Sequence, residues 1–381
     1  MPDTQANRIQ ELDGLRAFAV SLVVVYHMAC FSGSLPLGSP GMEGVVSCLG
    51  VTGVCVFFII SGFIITNLLL REKQGVGHVS LKAFYIRRFF RIIPPFAAYL
   101  VALLIIGALG YIFIPPRYVF WSALFLGDAG LFGSSGWFVA HTWSLSVEEQ
   151  FYLVFPPLLC LVCAFRTAPA LVALSFAYLL SLTSLNLAHL LAVKFNPHWL
   201  GLSGLYNFRY IIVGCFLALY GECLVARLAN RPKVIPVLLG VFVMGSRLWQ
   251  INGNHVISLV ISAIEPLILG LFVMWFVKNP SRCGVLRWPV VQWLGKCSYG
   301  IYLWQQLFTG VASNYHGWGL AQSPLAVVAI VLCAGLSHYL IEIPSIRLGR
   351  RFSRRPGAAR DVLADGVKGF GAEVRAVART Q

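Results

Sequence analysis

A histidine interrupts the first long apolar stretch of the sequence, and inside a bilayer an ionisable side chain is costly. The stretch follows Arg16, and His27 lies eleven residues later, a rise of about 16 Å along a helix. Because a bilayer's hydrocarbon core is roughly 30 Å thick, His27 is predicted near mid-membrane or beyond. Histidine can transfer a proton near neutral pH. The alternative is a histidine that only bonds a neighbouring helix.

Serine and glutamate residues open another apolar stretch, in the string Trp143-Ser144-Leu-Ser-Val-Glu148-Glu149-Gln-Phe-Tyr152. Ser144 and Glu148 are four residues apart and therefore share a helix face. The adjacent carboxylates of Glu148 and Glu149 point in different directions, so only one can face the interior that holds His27. The alternative is that both are solvated charges at a helix start, which suits the helix dipole.

Arginines form a third group at the predicted inner side of the membrane. Arg88 and Arg91 are three residues apart on one helix face, and with Arg16 they can form a cationic pocket. A guanidinium donates paired hydrogen bonds to phosphate, so such a pocket suits a polyphosphate. Ordinary anchoring of positive charge at the inner face is the alternative.

Arg209 lies apart from that group, where the apolar stretch 208–225 begins. It can hold an anion, orient a substrate hydroxyl or pair with Glu148 or Glu149, and snorkelling to the headgroups is the alternative. Glu265, inside another apolar stretch, has no partner that the sequence suggests.

Membrane helices are the elements that must position these side chains. Hydrophobic residues make up 58% of the 381 residues and charged residues only 11%, which is typical of integral membrane proteins. A spanning helix needs about 20 mostly apolar residues. We therefore predict an all-α integral membrane protein with about ten transmembrane helices, near residues 17–35, 51–70, 96–114, 144–163, 170–190, 208–225, 234–250, 256–277, 298–314 and 325–342.

The net charge of +15 is distributed in a way that indicates orientation rather than nucleic-acid binding. With both termini cytoplasmic, the segments on the inner side hold 25 of the 29 Lys and Arg residues. This agrees with the positive-inside rule, and the reverse topology would violate it. We expect anionic membrane lipids, and no nucleic acid, as partners of this charge.

A single transmembrane domain over residues 1–351 and a basic cytoplasmic tail over 352–381 are predicted. Segment 115–143 is rich in Gly, Pro and Trp. This composition predicts a loop or re-entrant structure on the outer side that covers a site. Cys48 and Cys55 are predicted near the outer face, where an oxidising compartment would allow them to pair. No cleavable signal peptide is apparent, and we expect no metal site.

An ordered set of motifs resembles acyltransferase family 3, the bacterial membrane O-acyltransferases that act on surface or exported sugars. The resemblance covers residues 8–352 and rests on LDGLRA from Leu12, FFIISGFII from Phe57, RRFFRIIPP from Arg87, WSLSVEEQFY from Trp143, GKCSYGIYLW from Gly295 and IEIP from Ile341. One such string would be weak evidence, whereas the ordered set is specific.

The resemblance implies roles for individual residues. It implies that His27 is essential for transfer and that Arg88 and Arg91 bind the acyl donor. The family's Ser-x-x-x-Glu element corresponds to Ser144 and Glu148, and members often have Trp in place of Glu149. Many members have a histidine where this chain has Gln305, which affects inference about the acceptor. On the acceptor side we expect Arg209, Trp143, Tyr152 and Gln305.

The predicted function is therefore transfer of an acyl group, by resemblance acetyl, from cytosolic acyl-CoA to a hydroxyl of a sugar or polysaccharide outside the bacterial inner membrane. Arg16 would help to hold the donor, and His27 would deprotonate the hydroxyl while Glu148 fixes its tautomer. A relay through an acylated His27 or Ser144 is equally open. A proton-coupled transporter of a sugar or lipid-linked substrate is the alternative function, although we find no internal repeat.

Overall fold

The computed structural model describes residues 9–32, 42–129, 136–163, 173–183, 202–226, 228, 231–252, 255–311, 314–316 and 325–353. Helices dominate these residues, and the β pairing within them is one isolated bridge between Ile112 and Tyr315. Five helical segments among them are long and apolar enough to cross a membrane, and three shorter apolar helices accompany them. The predicted all-α character is thus confirmed for the described residues, which include five candidate membrane spans, whereas ten spans and cytoplasmic termini stay predictions.

The helices are numbered in chain order. They are α1 Gln10–His27, α2 Glu43–Val76, α3 Leu81–Ala108, α4 Pro116–Ala123, α5 Trp137–Ala140, α6 Thr142–Cys163, α7 Ala173–Thr183, α8 Leu202–Ala226, α9 Val234–Asn252, α10 His255–Lys278, α11 Pro289–Lys296, α12 Ser298–Phe308, α13 Leu325–Ser337 and α14 Ile343–Phe352.

Close contact between α2 and α8 forms the centre of the bundle, and α1 packs on α2 beside it. Glycines allow this approach. A Cβ added at Gly62 would lie 2.1 Å from the carbonyl oxygen of Ile211, and one at Gly214 would lie 2.2 Å from that of Ile59. The two helices therefore cross backbone to backbone, as small residues permit in membrane proteins.

Helices α2 and α3 are longer than their apolar stretches predict. Helix α3 begins at Leu81 because Ser80 caps it, accepting a hydrogen bond from the Ala83 amide at 3.3 Å. It continues through Pro94 and Pro95, which remove two intrahelical donors. The Tyr299 hydroxyl donates to the nearby carbonyl of Ile92 at 3.0 Å. The Arg-x-x-Arg pair consequently lies inside a helix and not before one.

Segment 115–143 contains two short helices, α4 and α5, and a 3-10 turn over Gly127–Ala129. This agrees with the prediction that the segment does not span the membrane. Its last helix, α5, leads directly into α6 and so brings the residue between them, His141, into the interior.

Two π-helical turns occur in the described residues. The first, Met28–Ser32, follows His27 directly, and the second, His338–Glu342, joins α13 to α14. Such wide turns often occur at functional sites.

The pairing of Cys48 with Cys55, which the sequence left open, is not formed in the structure, where both are free and buried. They lie seven residues apart on α2, about 10 Å along the axis, which exceeds the Cα separation that a disulfide can bridge. The predicted basic tail lies outside the described residues, except for Phe352 and Ser353.

Candidate active site

His27 is the last residue of α1. Its Nδ1 lies 2.9 Å from the carbonyl oxygen of Val23. A carbonyl can only accept, so Nδ1 carries the proton and, in the neutral ring, Nε2 carries the lone pair. The indole of Trp137 meets the imidazole edge to face at 5.8 Å. In this structure the group beside Nδ1 of His27 is thus a backbone carbonyl and not the Glu148 carboxylate that was expected to fix its tautomer.

A second histidine, His141, lies in the same interior and was not predicted. It is 4% exposed, and its ring packs on Tyr99 at 5.5 Å and Tyr302 at 5.4 Å. His27 is within electrostatic reach of it. Trp137 and His141 are four residues apart in and after α5, so the two side chains that approach His27 share one face.

Ser144 and Tyr302 hold the turn that presents His141. Their hydroxyl oxygens lie 2.6 Å apart, and each lies within hydrogen-bonding distance of the His141 carbonyl oxygen, at 3.2 and 3.0 Å. Helix α12 is thereby tied to the start of α6. The serine of the Ser-x-x-x-Glu element is thus engaged with the backbone of its own helix start.

Glu148 lies on α6, seven residues beyond His141, which precedes that helix. Its carboxylate accepts a hydrogen bond from Ser61 of α2 and another from the Tyr152 hydroxyl at 3.2 Å. The Arg88 guanidinium lies over the Tyr152 ring, 4.5 Å from its centroid. Seven residues separate His141 from Glu148, about 10 Å of helix rise, so Glu148 belongs with the arginines.

The three arginines predicted to bind the donor come together. Arg16 and Arg88 are both within electrostatic reach of Arg91, and Glu149 is within reach of Arg88. We call this group, with Glu148 and Tyr152, the arginine end of the site, and His27 with His141 the histidine end. The neighbouring arginine, Arg87, instead forms an ion pair with Glu72 at 3.2 Å.

Partial exposure distinguishes this interior from the packed core. Arg91 is exposed, and the side chains of Arg16, His27, Arg88, Glu148 and Glu149 are half-buried. These residues come from α1, α3 and α6, and each keeps accessible surface although its helix packs within the bundle.

Arg209 lies in a separate buried cluster. It donates to the Tyr206 carbonyl and to the Tyr210 hydroxyl, both at 2.9 Å, and not to Glu148 or Glu149. Beside it Arg247 and Glu265 form an ion pair at 2.8 Å, and Tyr210 donates to Glu265. Glu265, unpartnered in the sequence, therefore has its partner on α9.

Gln305 of α12 and Trp143 of α6 contact residues other than His27 and His141. Gln305 is buried and donates to the Gln306 side chain at 2.9 Å, and Gln306 donates to the Trp137 carbonyl at 2.9 Å. Trp143 packs against Phe58 of α2 at 6.0 Å. The four residues expected on the acceptor side therefore occupy separate places, with Tyr152 at the arginine end.

Potential metal ligands do not cluster among the described residues, where three His, Cys, Asp or Glu side chains never come together.

Comparisons with known proteins identify the family of this chain. A family model described as an acyltransferase domain, that of acyltransferase family 3, matches residues 9–339. A protein of Staphylococcus aureus (strain COL), provisionally named an O-acetyltransferase, is 28% identical over 385 residues, or 88% of this chain and 57% of that protein. The O-acetyltransferase OatA of Staphylococcus aureus (strain NCTC 8325) is 26% identical over 373 residues, or 89% of this chain and 57% of OatA.

This chain thus spans 57% of the length of each of these two relatives. No solved structure matches it. Because the family model covers nearly all of the described helices, from α1 to the second π-helical turn, the chain belongs to acyltransferase family 3.

Proposed function

We propose that this chain is an O-acyltransferase of the bacterial inner membrane that moves an acyl group, specifically acetyl, from acyl-CoA to a hydroxyl of a sugar or polysaccharide. The observation that carries the proposal is the hydrogen bond from His27 Nδ1 to the Val23 carbonyl. In the neutral ring it leaves the lone pair on Nε2, on the same helix that carries Arg16 eleven residues earlier. The names of the two relatives support acetyl as the group.

The arginine end is the proposed donor site. Coenzyme A carries several phosphates, and the guanidinium groups of Arg16, Arg88 and Arg91 match them in charge and geometry. With both termini cytoplasmic and about ten spans, this end faces the cytosol, where acyl-CoA is made. Ser61 and Tyr152 donate to the Glu148 carboxylate, and the Arg88 guanidinium lies over the Tyr152 ring. The role proposed for Glu148 is therefore to hold Tyr152 beneath a donor-binding arginine.

The histidine end is the proposed site of chemistry. Helix α1 places His27 about 16 Å beyond Arg16, so an elongated donor held by its phosphates points its thioester toward the imidazole. Nε2 takes the proton of the acceptor hydroxyl, whose oxygen attacks the thioester carbon. Direct transfer is favoured over a Ser144 relay because the Ser144 hydroxyl is buried and committed to Tyr302 and the His141 carbonyl.

The test uses the purified chain in defined lipid with acetyl-CoA and a membrane glycan extract from the native strain. His27→Ala should abolish release of the coenzyme A thiol but not binding of coenzyme A. His78→Ala, at the exposed end of α2, is the control and should retain activity. Undiminished thiol release by His27→Ala would remove His27 from the mechanism. Solute movement across vesicles without coenzyme A would instead identify a transporter.

A further inference from the structure

His141 is a buried imidazole with both nitrogens uncommitted. Within the described part of the chain neither Nδ1 nor Nε2 has a hydrogen-bond partner, although the residue is 4% exposed. A neutral imidazole has one N–H donor and one acceptor nitrogen. Leaving a buried polar group unsatisfied is unfavourable, so this arrangement calls for a ligand that supplies the missing partner.

Other polar groups around the histidine end are already engaged. Tyr302 and Ser144 contact each other and the His141 carbonyl. The Tyr99 hydroxyl donates to the Phe138 carbonyl at 2.6 Å, and the Trp137 indole donates to the Gln306 carbonyl at 3.0 Å. These bonds fix the frame around His141 while its own ring stays available.

The Trp304 indole is a second candidate donor. Its Nε1 is also buried and lacks a partner among the described residues, and its ring packs on Tyr99 at 5.5 Å. His141 differs because it is within electrostatic reach of His27 and lies four residues after Trp137, whose indole contacts the His27 ring. His141 is therefore the N–H group that the structure associates with the proposed base.

We propose that His141 is a second catalytic residue, whose ring N–H binds the carbonyl oxygen of the donor thioester and stabilises the oxyanion of the tetrahedral intermediate. The inference rests on the proposed function. Hydrogen-bond donors that are already oriented toward the position where negative charge develops stabilise the transition state strongly. The backbone bond of His27 leaves it a lone pair for proton abstraction, whereas no bond in the described structure fixes the tautomer of His141.

Transfer couples proton abstraction by His27 to attack of the acceptor oxygen on the thioester carbon. His27 Nε2 removes the proton from the acceptor hydroxyl, and the hydroxyl oxygen forms a bond to the thioester carbon. The carbonyl electron pair moves to oxygen, where the His141 N–H binds it. When the pair returns, the carbon–sulfur bond breaks and the thiolate takes the proton from His27. The products are the acyl ester and free coenzyme A, and both histidines regain their starting states.

The experiment measures release of the coenzyme A thiol from acetyl-CoA by membranes of the native strain carrying each variant. His141→Phe keeps an aromatic ring but lacks the N–H, and His141→Gln keeps an N–H donor. Removal of an oxyanion donor lowers kcat roughly 10²–10³-fold. We expect that loss for His141→Phe, at least tenfold more activity for His141→Gln, and an unchanged KM for acetyl-CoA in both. Trp304→Phe should lose less activity than His141→Phe.

Thermal stability of the purified ligand-free protein separates catalysis from structure. Because the phenyl ring carries no unsatisfied nitrogen, His141→Phe should melt at or above the wild-type temperature. A lower melting temperature, equal losses for Phe and Gln, or near wild-type activity of His141→Phe would each overturn the role of His141. If the wild type releases no thiol, the proposed function itself fails. If the wild type is active and His27→Ala is not, an active His141→Phe refutes only this inference.

Discussion

The hydroxyl of Ser144 lies 2.6 Å from the phenol of Tyr302, and the pair joins α6 to α12 beneath the carbonyl of His141. A side chain engaged in this way acts through the residue that it positions. Ser144 is therefore best understood as a support for His141.

Loss of either hydroxyl should weaken transfer without abolishing it. Each hydrogen bond contributes about 1 kcal/mol, so Ser144→Ala and Tyr302→Phe should each lower kcat by roughly five- to tenfold. Because both act on one carbonyl, the double variant should lose less than the product of the two single losses. Acyl-enzyme trapped with radiolabelled acetyl-CoA in the wild type but lost in Ser144→Ala would show a nucleophile instead.

Neutralising the arginine end should weaken donor binding selectively. Hydrogen bonds between charged groups contribute about 1.5–3 kcal/mol, which corresponds to roughly 10- to 100-fold in affinity. Arg88→Gln and Arg91→Gln should therefore raise the KM for acetyl-CoA by that factor. Arg87→Gln, whose guanidinium pairs with Glu72, is the matched control and should leave the KM unchanged. Equal effects of all three variants would indicate only a general surface potential.

Breaking the buried ion pair of Arg247 and Glu265 should destabilise the protein. Glu265 is 1% exposed, and removing one partner of such a pair costs about 3–5 kcal/mol because a buried charge is left uncompensated. Glu265→Gln should therefore lower the thermal midpoint sharply. Glu72→Gln, which breaks a more exposed pair, should cost less than about 1 kcal/mol. Equal decreases of the melting temperature in Glu265→Gln and Glu72→Gln would contradict this explanation.

A methyl group between α2 and α8 should disrupt the bundle. The Cβ of Gly214→Ala would lie 2.2 Å from the Ile59 carbonyl oxygen, whereas at Gly245 of α9 nothing lies within 4 Å. Gly214→Ala should reduce the yield of folded protein in detergent. Gly245→Ala should be neutral or stabilising by about 0.5–1 kcal/mol, since alanine favours a helix. A well-folded Gly214→Ala would mean that the crossing can open.

The sequence predicted the arginine end more completely than the histidine end. Spacings of three residues and helical rise placed Arg88 and Arg91 on one face and Arg16 below His27, because these relations depend only on local helix geometry. His141 could not be recognised in this way. It lies in a segment of turns, where a polar residue is inexpensive, and it is buried by packing against Tyr99 of α3 and Tyr302 of α12.

Long-range contacts account for the other differences. Hydropathy could not pair Arg247 with Glu265, since they lie on different helices, nor show that Glu148 contacts Ser61 and not His27. The length of α3 depends on the cap at Ser80 and on continuation through two prolines, which a search for apolar stretches interprets as a boundary.

The π-helical turn after His27 lets the chain change direction without changing the orientation of α1. A π-turn takes one residue more than an α-turn, so the backbone from Met28 to Ser32 can change its direction without rotating the helix before it. Insertions or deletions beyond this turn would then alter the route of the following segment while the angle between Arg16 and His27 around α1 stays constant. The position of His27 relative to Arg16 accordingly depends on α1 alone and not on the chain that follows it.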